Sequence, residues 1–241
     1  MQLENTVKVL RELVESSGNI VFFGGAGVST ESGIPDFRSV DGLYSQKYAY
    51  PPEVMLSHTF FENRPEEFFR FYREKMIFTD ARPNAAHLKL AQWEREGKLS
   101  AVVTQNIDGL HQAAGSRNVY ELHGSVHRNY CVRCGKKYDL DYVLRSPDIV
   151  PRCACGGMVR PDVVLYEEVL DGEVMNKAAR AISKADLLIV GGTSLVVYPA
   201  AGLIRYYSGD KLVIINKTPT LSDSGADYIM EGKIGEILSQ V

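Results

Sequence analysis

An α/β fold built on a doubly wound parallel sheet is what this chain predicts, and three observations point to it. Apolar runs of strand length recur, stretches with helical spacing separate them, and a glycine-rich run follows the first apolar segment. Val7, Leu10, Leu13 and Val14 share one helical face before Gly18, so the chain should open with an amphipathic helix. Strands are expected at 20–23, 101–104, 119–122, 163–165, 187–190 and 212–215. Several are unbroken apolar runs, as strands covered by helices on both faces require. Helices are expected at 85–96 and 173–183, between strands, and at 65–75.

Two segments interrupt this alternation. Residues 40–83 are rich in Tyr, Phe and Pro, and residues 126–160 hold all four cysteines. The reading is therefore a Rossmann-like domain of residues 1–39, 84–125 and 161–241, carrying a helical insertion (40–83) and a metal-binding module (126–160) that together form a smaller lobe. A chain of 241 residues, 45% hydrophobic and 24% charged, has room for a full core. A net charge of −3 gives no global pull toward nucleic acid or anionic membrane. The N-terminus lacks a basic start and an apolar h-region, and no apolar run approaches the ~18 residues of a spanning helix, so a cytoplasmic protein is expected.

In that reducing setting the cysteines point to a metal. Cys131 and Cys134 form one knuckle, and Cys153 and Cys155 follow after eighteen intervening residues. Four thiolates suit tetrahedral Zn2+ and leave no open position for a substrate, so the site should be structural. Seven basic residues, from Arg128 to Arg160, outnumber Asp139, Asp141 and Asp148 around it. Without an aromatic-studded stripe, that excess reads as a solvated face rather than a nucleic-acid contact.

The glycine run is Gly24-Gly25-Ala26-Gly27-Val28-Ser29-Thr30-Glu31-Ser32-Gly33-Ile34-Pro35-Asp36-Phe37-Arg38. Glycines after a strand allow close approach to a pyrophosphate, and a helix opening there would add amide donors. Gly25 and Gly27 fit the start of a dehydrogenase fingerprint, but Thr30 takes its third glycine position, which weakens a hydride-transfer reading. Asn106 and Asp108 follow the strand 101–104, where a turn or cap role competes with ligand binding. His123 follows the strand 119–122 and precedes Gly124, a place where side chains face a ligand crevice. Taken alone it is either a structural histidine or a general base, with His111 its only competitor.

Together, the glycine run, Thr104-Gln105-Asn106-Ile107-Asp108, Leu122-His123-Gly124 and the four cysteines resemble the sirtuin family of NAD-dependent protein deacylases, from about residue 20 to the C-terminus. The resemblance implies a catalytic His123 and an Asn106 that shares in catalysis. It also implies that Gln105 and Asn106 hold the nicotinamide ribose of NAD, and that Ile107 and Asp108 take the carboxamide. Phe37 would shield the anomeric carbon and Arg38 would order the cofactor loop, with Gly25, Ala26, Gly27 and Thr30 lining the same pocket. Gly192, Thr193, Ser194, Asn216 and Ile234 would take the adenosine half. An acyl-lysine peptide would lie as a strand between Val164-Leu165-Tyr166 and Val196-Val197-Tyr198, since β-augmentation reads backbone.

Departures from the family pattern mark what transfers least. The second cysteine pair is C-x-C, Gly232-Lys233-Ile234 replaces the usual Gly-Asp-Val or Gly-Asp-Ala, and Tyr166-Glu167-Glu168 replaces Phe-Gly-Glu, adding charge near the peptide. Tyr72-Arg73-Glu74-Lys75 stands where succinyl-preferring relatives have Tyr-x-x-Arg, which favours neutral acyl groups. The expected activity is protein-lysine deacylation that consumes NAD and yields nicotinamide, O-acyl-ADP-ribose and free lysine. The alternatives are a mono-ADP-ribosyltransferase using the same site and a non-catalytic NAD-binding or zinc-ribbon module.

Overall fold

The computed structural model describes residues 2–37, 42–43, 48–218 and 225–241. Helix α1 (Gln2–Glu15) leads into β1 (Ile20–Gly24), then α2 (Pro52–Met55), α3 (His58–Asn63), α4 (Pro65–Lys75) and α5 (Ala85–Arg95). Strand β2 (Leu99–Thr104), α6 (Leu110–Ala113), β3 (Val119–Glu121), β4 (Gly124–Cys131), β5 (Lys137–Asp139), α7 (Leu140–Leu144) and β6 (Val159–Val163) follow. The chain ends with α8 (Gly172–Lys184), β7 (Leu187–Gly191), β8 (Leu212–Asn216), β9 (Tyr228–Glu231) and α9 (Ile234–Leu238).

Six strands form one parallel sheet in the order β3-β2-β1-β7-β8-β9, so the chain winds outward from β1 in both directions. All five residues of β1 and of β7 are buried, because helices cover both faces. Alternate side chains serve separate cores. Ile20, Phe22, Leu187 and Ile189 pack with Leu10 of α1, Leu90 of α5 and Ile237 of α9. Val21, Phe23, Leu188 and Val190 pack with Ala178 and Ile182 of α8 on the other face. The winding reverses between β1 and β7, and in open α/β sheets the crevice beyond the strand ends at that reversal is where ligands bind.

A third core unites the two inserted segments. Phe60, Phe61, Phe68, Phe69 and Tyr72 from α3 and α4 pack with Val126, Cys131, Val143, Cys153 and Val159 around a three-stranded sheet of order β5-β4-β6. The strand expected at 163–165 is corrected here. It is not a member of the large sheet: β6 ends at Val163 and pairs antiparallel with β4, Gly124 opposite Val163. Residues 164–165 continue as extended chain, with Val164 N donating to the His123 carbonyl at 3.0 Å. The apolar run was genuine, but its partner is the strand leaving His123. Among the described residues, no α-helix opens directly after the glycine run to add amide donors. Two single 3-10 turns, Ala26–Val28 and Thr30–Ser32, stand there, and Gly33 closes them at φ 85°. No helix among the described residues is long and apolar enough to cross a membrane.

Candidate active site

A cavity of about 1760 Å3 lies at the strand ends between the large sheet and the smaller lobe. Its floor is made by two loops whose backbones touch. Gly27 N donates to the Gly192 carbonyl at 2.8 Å, and a Cβ on Gly27 would stand 2.8 Å from Gly192 Cα. Gly192 itself has φ 59°, which disfavours any side chain. The glycines are thus required by contact between the β1 and β7 loops, before any pyrophosphate enters. Gln105 Nε2 donates to Thr193 Oγ1 at 2.9 Å, adding the β2 loop to the same floor.

Ser29 is the centre of the polar wall, and sequence reading gave it no role. It is 1% exposed, accepts from Asn106 Nδ2 at 3.0 Å, and donates to Asp108 Oδ2 at 2.6 Å. Asp108 Oδ1 accepts from Leu110 N at the start of α6. Asn106 and Asp108 are therefore held in fixed orientation by one hydroxyl. A serine among glycines looks like turn chemistry, so only its packing against the β2 loop reveals this. Asn84 ties the same loop to α5, its Nδ2 donating to the Val28 carbonyl and to Ser32 Oγ.

His123 lies between β3 and β4. Its Nδ1 is 3.0 Å from the Gln105 carbonyl, which can only accept, so Nδ1 carries the proton and Nε2 keeps its lone pair. Burial pushes its pKa below the ordinary value, opposed by that hydrogen bond, so the ring is neutral at neutral pH. The turn after it depends on Gly124, which has φ 77° and whose Cβ would fall 1.9 Å from the Asp162 carbonyl. His111 is placed differently. It is 1% exposed, its ring tilted at 59° and 4.7 Å from that of His87, with no hydrogen-bond partner on either nitrogen, and it lines no cavity wall with His123.

The same cavity is lined by Gly25, Ala26, Gly27, Thr30, Phe37, Gln105, Asn106, Ile107, Asp108 and His123. Gly192, Thr193, Ser194, Asn216 and Ile234 line it too, as do Val164, Leu165, Tyr166, Val196, Val197 and Tyr198. Arg38 lies outside the described residues. Asn216 differs from expectation in one respect: both ends of its amide are engaged with the Thr193 backbone, at 3.1 and 3.0 Å. It holds the β7 loop in place, with one N–H and one lone pair left over.

The segment expected to form the first peptide wall also has its own internal bonding. Glu168 points inward, accepting from Arg160 at 2.7 Å, from Leu165 N at 2.8 Å, and meeting His58 Nδ1 at 2.8 Å. Burial opposes its ionisation, but Arg160, the Leu165 amide and His58 outweigh this and hold its pKa below the usual value. Glu167 adopts φ 76°, and its carboxylate accepts from Thr59 N at the start of α3. The charge that this segment adds is mostly spent on the protein itself.

The four cysteine sulfurs lie within 4.8 Å of one another, with Cys131–Cys155 at 3.5 Å and Cys134–Cys153 at 3.7 Å. Thiolates about 2.3 Å from a tetrahedral zinc would be ~3.8 Å apart, so the set fits the ion despite its C-x-C half. Tyr138 donates its hydroxyl to Cys153 Sγ at 3.0 Å, supporting that ligand from behind.

A profile of the Sir2 family matches residues 25–199. The chain is 63% identical, over the whole of both chains, to an NAD-dependent protein deacetylase of Clostridium acetobutylicum. It is 43% identical to one of Staphylococcus aureus, over 99% of each. Among solved structures, Sir2 bound to acetylated peptide superposes with a TM-score of 0.86 at 42% identity, covering 98% of this chain and 96% of that one. A Sir2 complex with deacetylated p53 peptide and 3'-O-acetyl ADP ribose gives 0.89 at 42% identity, covering 100% and 97%.

Proposed function

The chain belongs to the Sir2 family, and from that premise we propose how its residues perform the reaction. The protein is an NAD-dependent protein-lysine deacetylase. NAD is consumed as a co-substrate, supplying an electrophilic anomeric carbon and nicotinamide as leaving group. The acyl group passes from lysine to the ribose, giving O-acyl-ADP-ribose, nicotinamide and free lysine.

One observation carries the assignment of the base: His123 has Nδ1 engaged by the Gln105 carbonyl and faces the cavity shared by every described NAD and peptide candidate. Its Nε2 takes the proton from a ribose hydroxyl. Asn106 and Asp108, fixed through Ser29, position the nicotinamide end, and Phe37 keeps water from the anomeric carbon. Gln105, Thr193 and Asn216 form a connected strip under the adenosine half, with Ser194 and Ile234 beside it. The acyl-lysine protein lies between residues 164–166 and 196–198. Zinc, held by the four cysteines, ties the two ends of the ribbon and leaves no site for chemistry. A cytoplasmic location belongs to this reading, because four clustered cysteines persist as metal ligands, rather than pairing into disulfides, where thiols are kept reduced.

Mass spectrometry of the protein with NAD and an acetyl-lysine peptide tests the reading. Loss of the acetyl mass with release of acetyl-ADP-ribose is expected. Gain of an ADP-ribose mass on the peptide or protein without acetyl loss would make the protein a mono-ADP-ribosyltransferase instead.

A further inference from the structure

A second cavity, of about 460 Å3, shares a wall with the substrate cleft. Tyr166 and Glu167 line both spaces. Tyr50, Phe60, Tyr166 and Val54 give the smaller one aromatic and aliphatic walls, and Glu53 and Glu167 supply carboxylates. Tyr50 and Phe60 are locked edge to face with centroids 5.5 Å apart, so that wall is formed in advance. Arg64 lies over the Tyr50 ring at 5.3 Å, but its charge is matched by Glu67 at 2.8 Å. Glu167 accepts from Thr59 N at 2.9 Å. Glu53 has no hydrogen-bond or ion-pair partner among the described residues, leaving one unmatched anionic group over aromatic walls.

We propose that this cavity is a subsite for a lysine or arginine side chain of the substrate protein, close in sequence to the acyl-lysine. The proposal rests on the deacetylase reading. A long basic side chain has the matching chemistry: its methylene stem packs on Tyr166, Phe60 and Val54, while its cation meets the Glu53 carboxylate. A substrate strand laid along 164–166 sends neighbouring side chains to opposite faces at about 3.3 Å per residue. A residue within three positions of the acyl-lysine therefore reaches across the shared wall. Glu53 selects for positive charge and against negative charge, a few-fold effect at a solvent-accessible pair.

The experiment compares kcat/KM of the zinc-loaded protein, with NAD, on acetyl-lysine peptides carrying Arg, Ala or Glu at each of three positions on either side. At one position the order should be Arg, Ala, Glu, with Arg over Ala by about fivefold and the difference in KM. Glu53→Gln should bring the Arg-to-Ala ratio close to one, and Glu53→Arg should reverse the order to favour Glu. Absence of any position that separates Arg from Glu, or an order that survives Glu53→Arg, overturns the subsite. Failure of the wild-type protein to deacetylate even the all-alanine peptides would instead overturn the deacetylase reading.

Discussion

At His123 the protonation state follows from one carbonyl. The Gln105 oxygen can only accept, so the ring donates to it and presents an unprotonated Nε2, and burial keeps that ring neutral to lower pH than an exposed imidazole. With His123 as the proposed general base, kcat/KM should fall only as pH drops through the depressed pKa, giving an acid limb below the ordinary ~6.5. A limb at or above that value would contradict the burial argument. His123→Ala should fold and lose about 10²-fold or more in deacetylation, while exchange of labelled nicotinamide falls less, since nicotinamide leaves before the base acts. Near wild-type deacetylation by this variant would remove His123 from the mechanism. Acyl choice is also set by single residues. Lys75 lines the cavity but is paired with Glu74 at 2.9 Å, and the Tyr72 hydroxyl, at 1% residue exposure, is buried without a partner. Neither offers a succinyl carboxylate the two-pronged contact of an arginine. Acetyl-lysine should therefore show the higher kcat/KM on a common peptide, and a succinyl preference of about tenfold, or ~1.4 kcal/mol, would refute this.

Loops and strands explain why these side chains meet. The β1 and β7 loops touch through Gly27 and Gly192, so Gly27→Ala must push the two backbones apart. The expected result is NAD binding weakened by about tenfold or more, read by calorimetry, with unfolding free energy lowered by roughly 1–3 kcal/mol. Unchanged affinity would mean that the loops do not act as one floor. In the ribbon, zinc removal should unfold β4 to β6 and abolish activity indirectly, because metal binding and folding are coupled. Tyr138→Phe, which deletes the hydroxyl behind Cys153, should speed zinc release to a chelator without changing the stoichiometry. A stably folded, active metal-free protein would show the ribbon to be dispensable. These elements differ in how far the sequence discloses them. β1, β2, β7 and β8 are apolar runs of strand length, and α4 and α8 have clear apolar faces, so both periods are visible. β4 has a register shift between Ser125 and Asn129 and an irregular burial pattern, which erases its alternation. β9 is a half-exposed edge with only Met230 buried among its four residues, so its composition says little. The cysteines are legible because their spacing is rare, whereas His123 is singled out only by the resemblance of its motif. Ser29 is a common turn residue, and only the approach of a second loop gives it a role.

The whole molecule places titrating groups where its layers meet, and this makes stability depend on pH. His87, from α5, and His111, from α6, meet with tilted rings 4.7 Å apart, and His111 also meets Phe22 of β1 at 6.1 Å. Burial lowers the pKa of His87 to about 4, with Asp108 opposing, and burial together with the His87 charge holds His111 well below its ordinary value. An unfolded chain takes up protons at both rings near pH 6.5, which the folded chain refuses. Stability is therefore full above ~6.5 and is lost as pH falls from there toward the folded values. The His87 shift alone is worth about 3 kcal/mol across that window. His58 acts in the opposite direction, its pKa raised by Glu168, but its side chain is 41% exposed and its bond is partly screened. Glu168, held low by Arg160 and its neighbours, weakens the fold only below the ordinary carboxylate range. Urea unfolding at pH 7 and pH 5 should thus show a loss of about 2–4 kcal/mol, before the carboxylates protonate. His111→Leu fills the same space without a titrating ring, so it should recover roughly 1–2 kcal/mol of that loss at equal zinc content. Its value at pH 7 should change little or rise, because both ring nitrogens lack partners. Equal stability at the two pH values, or an identical acid loss in His111→Leu, would mean that the buried pair takes up its protons without opening the fold.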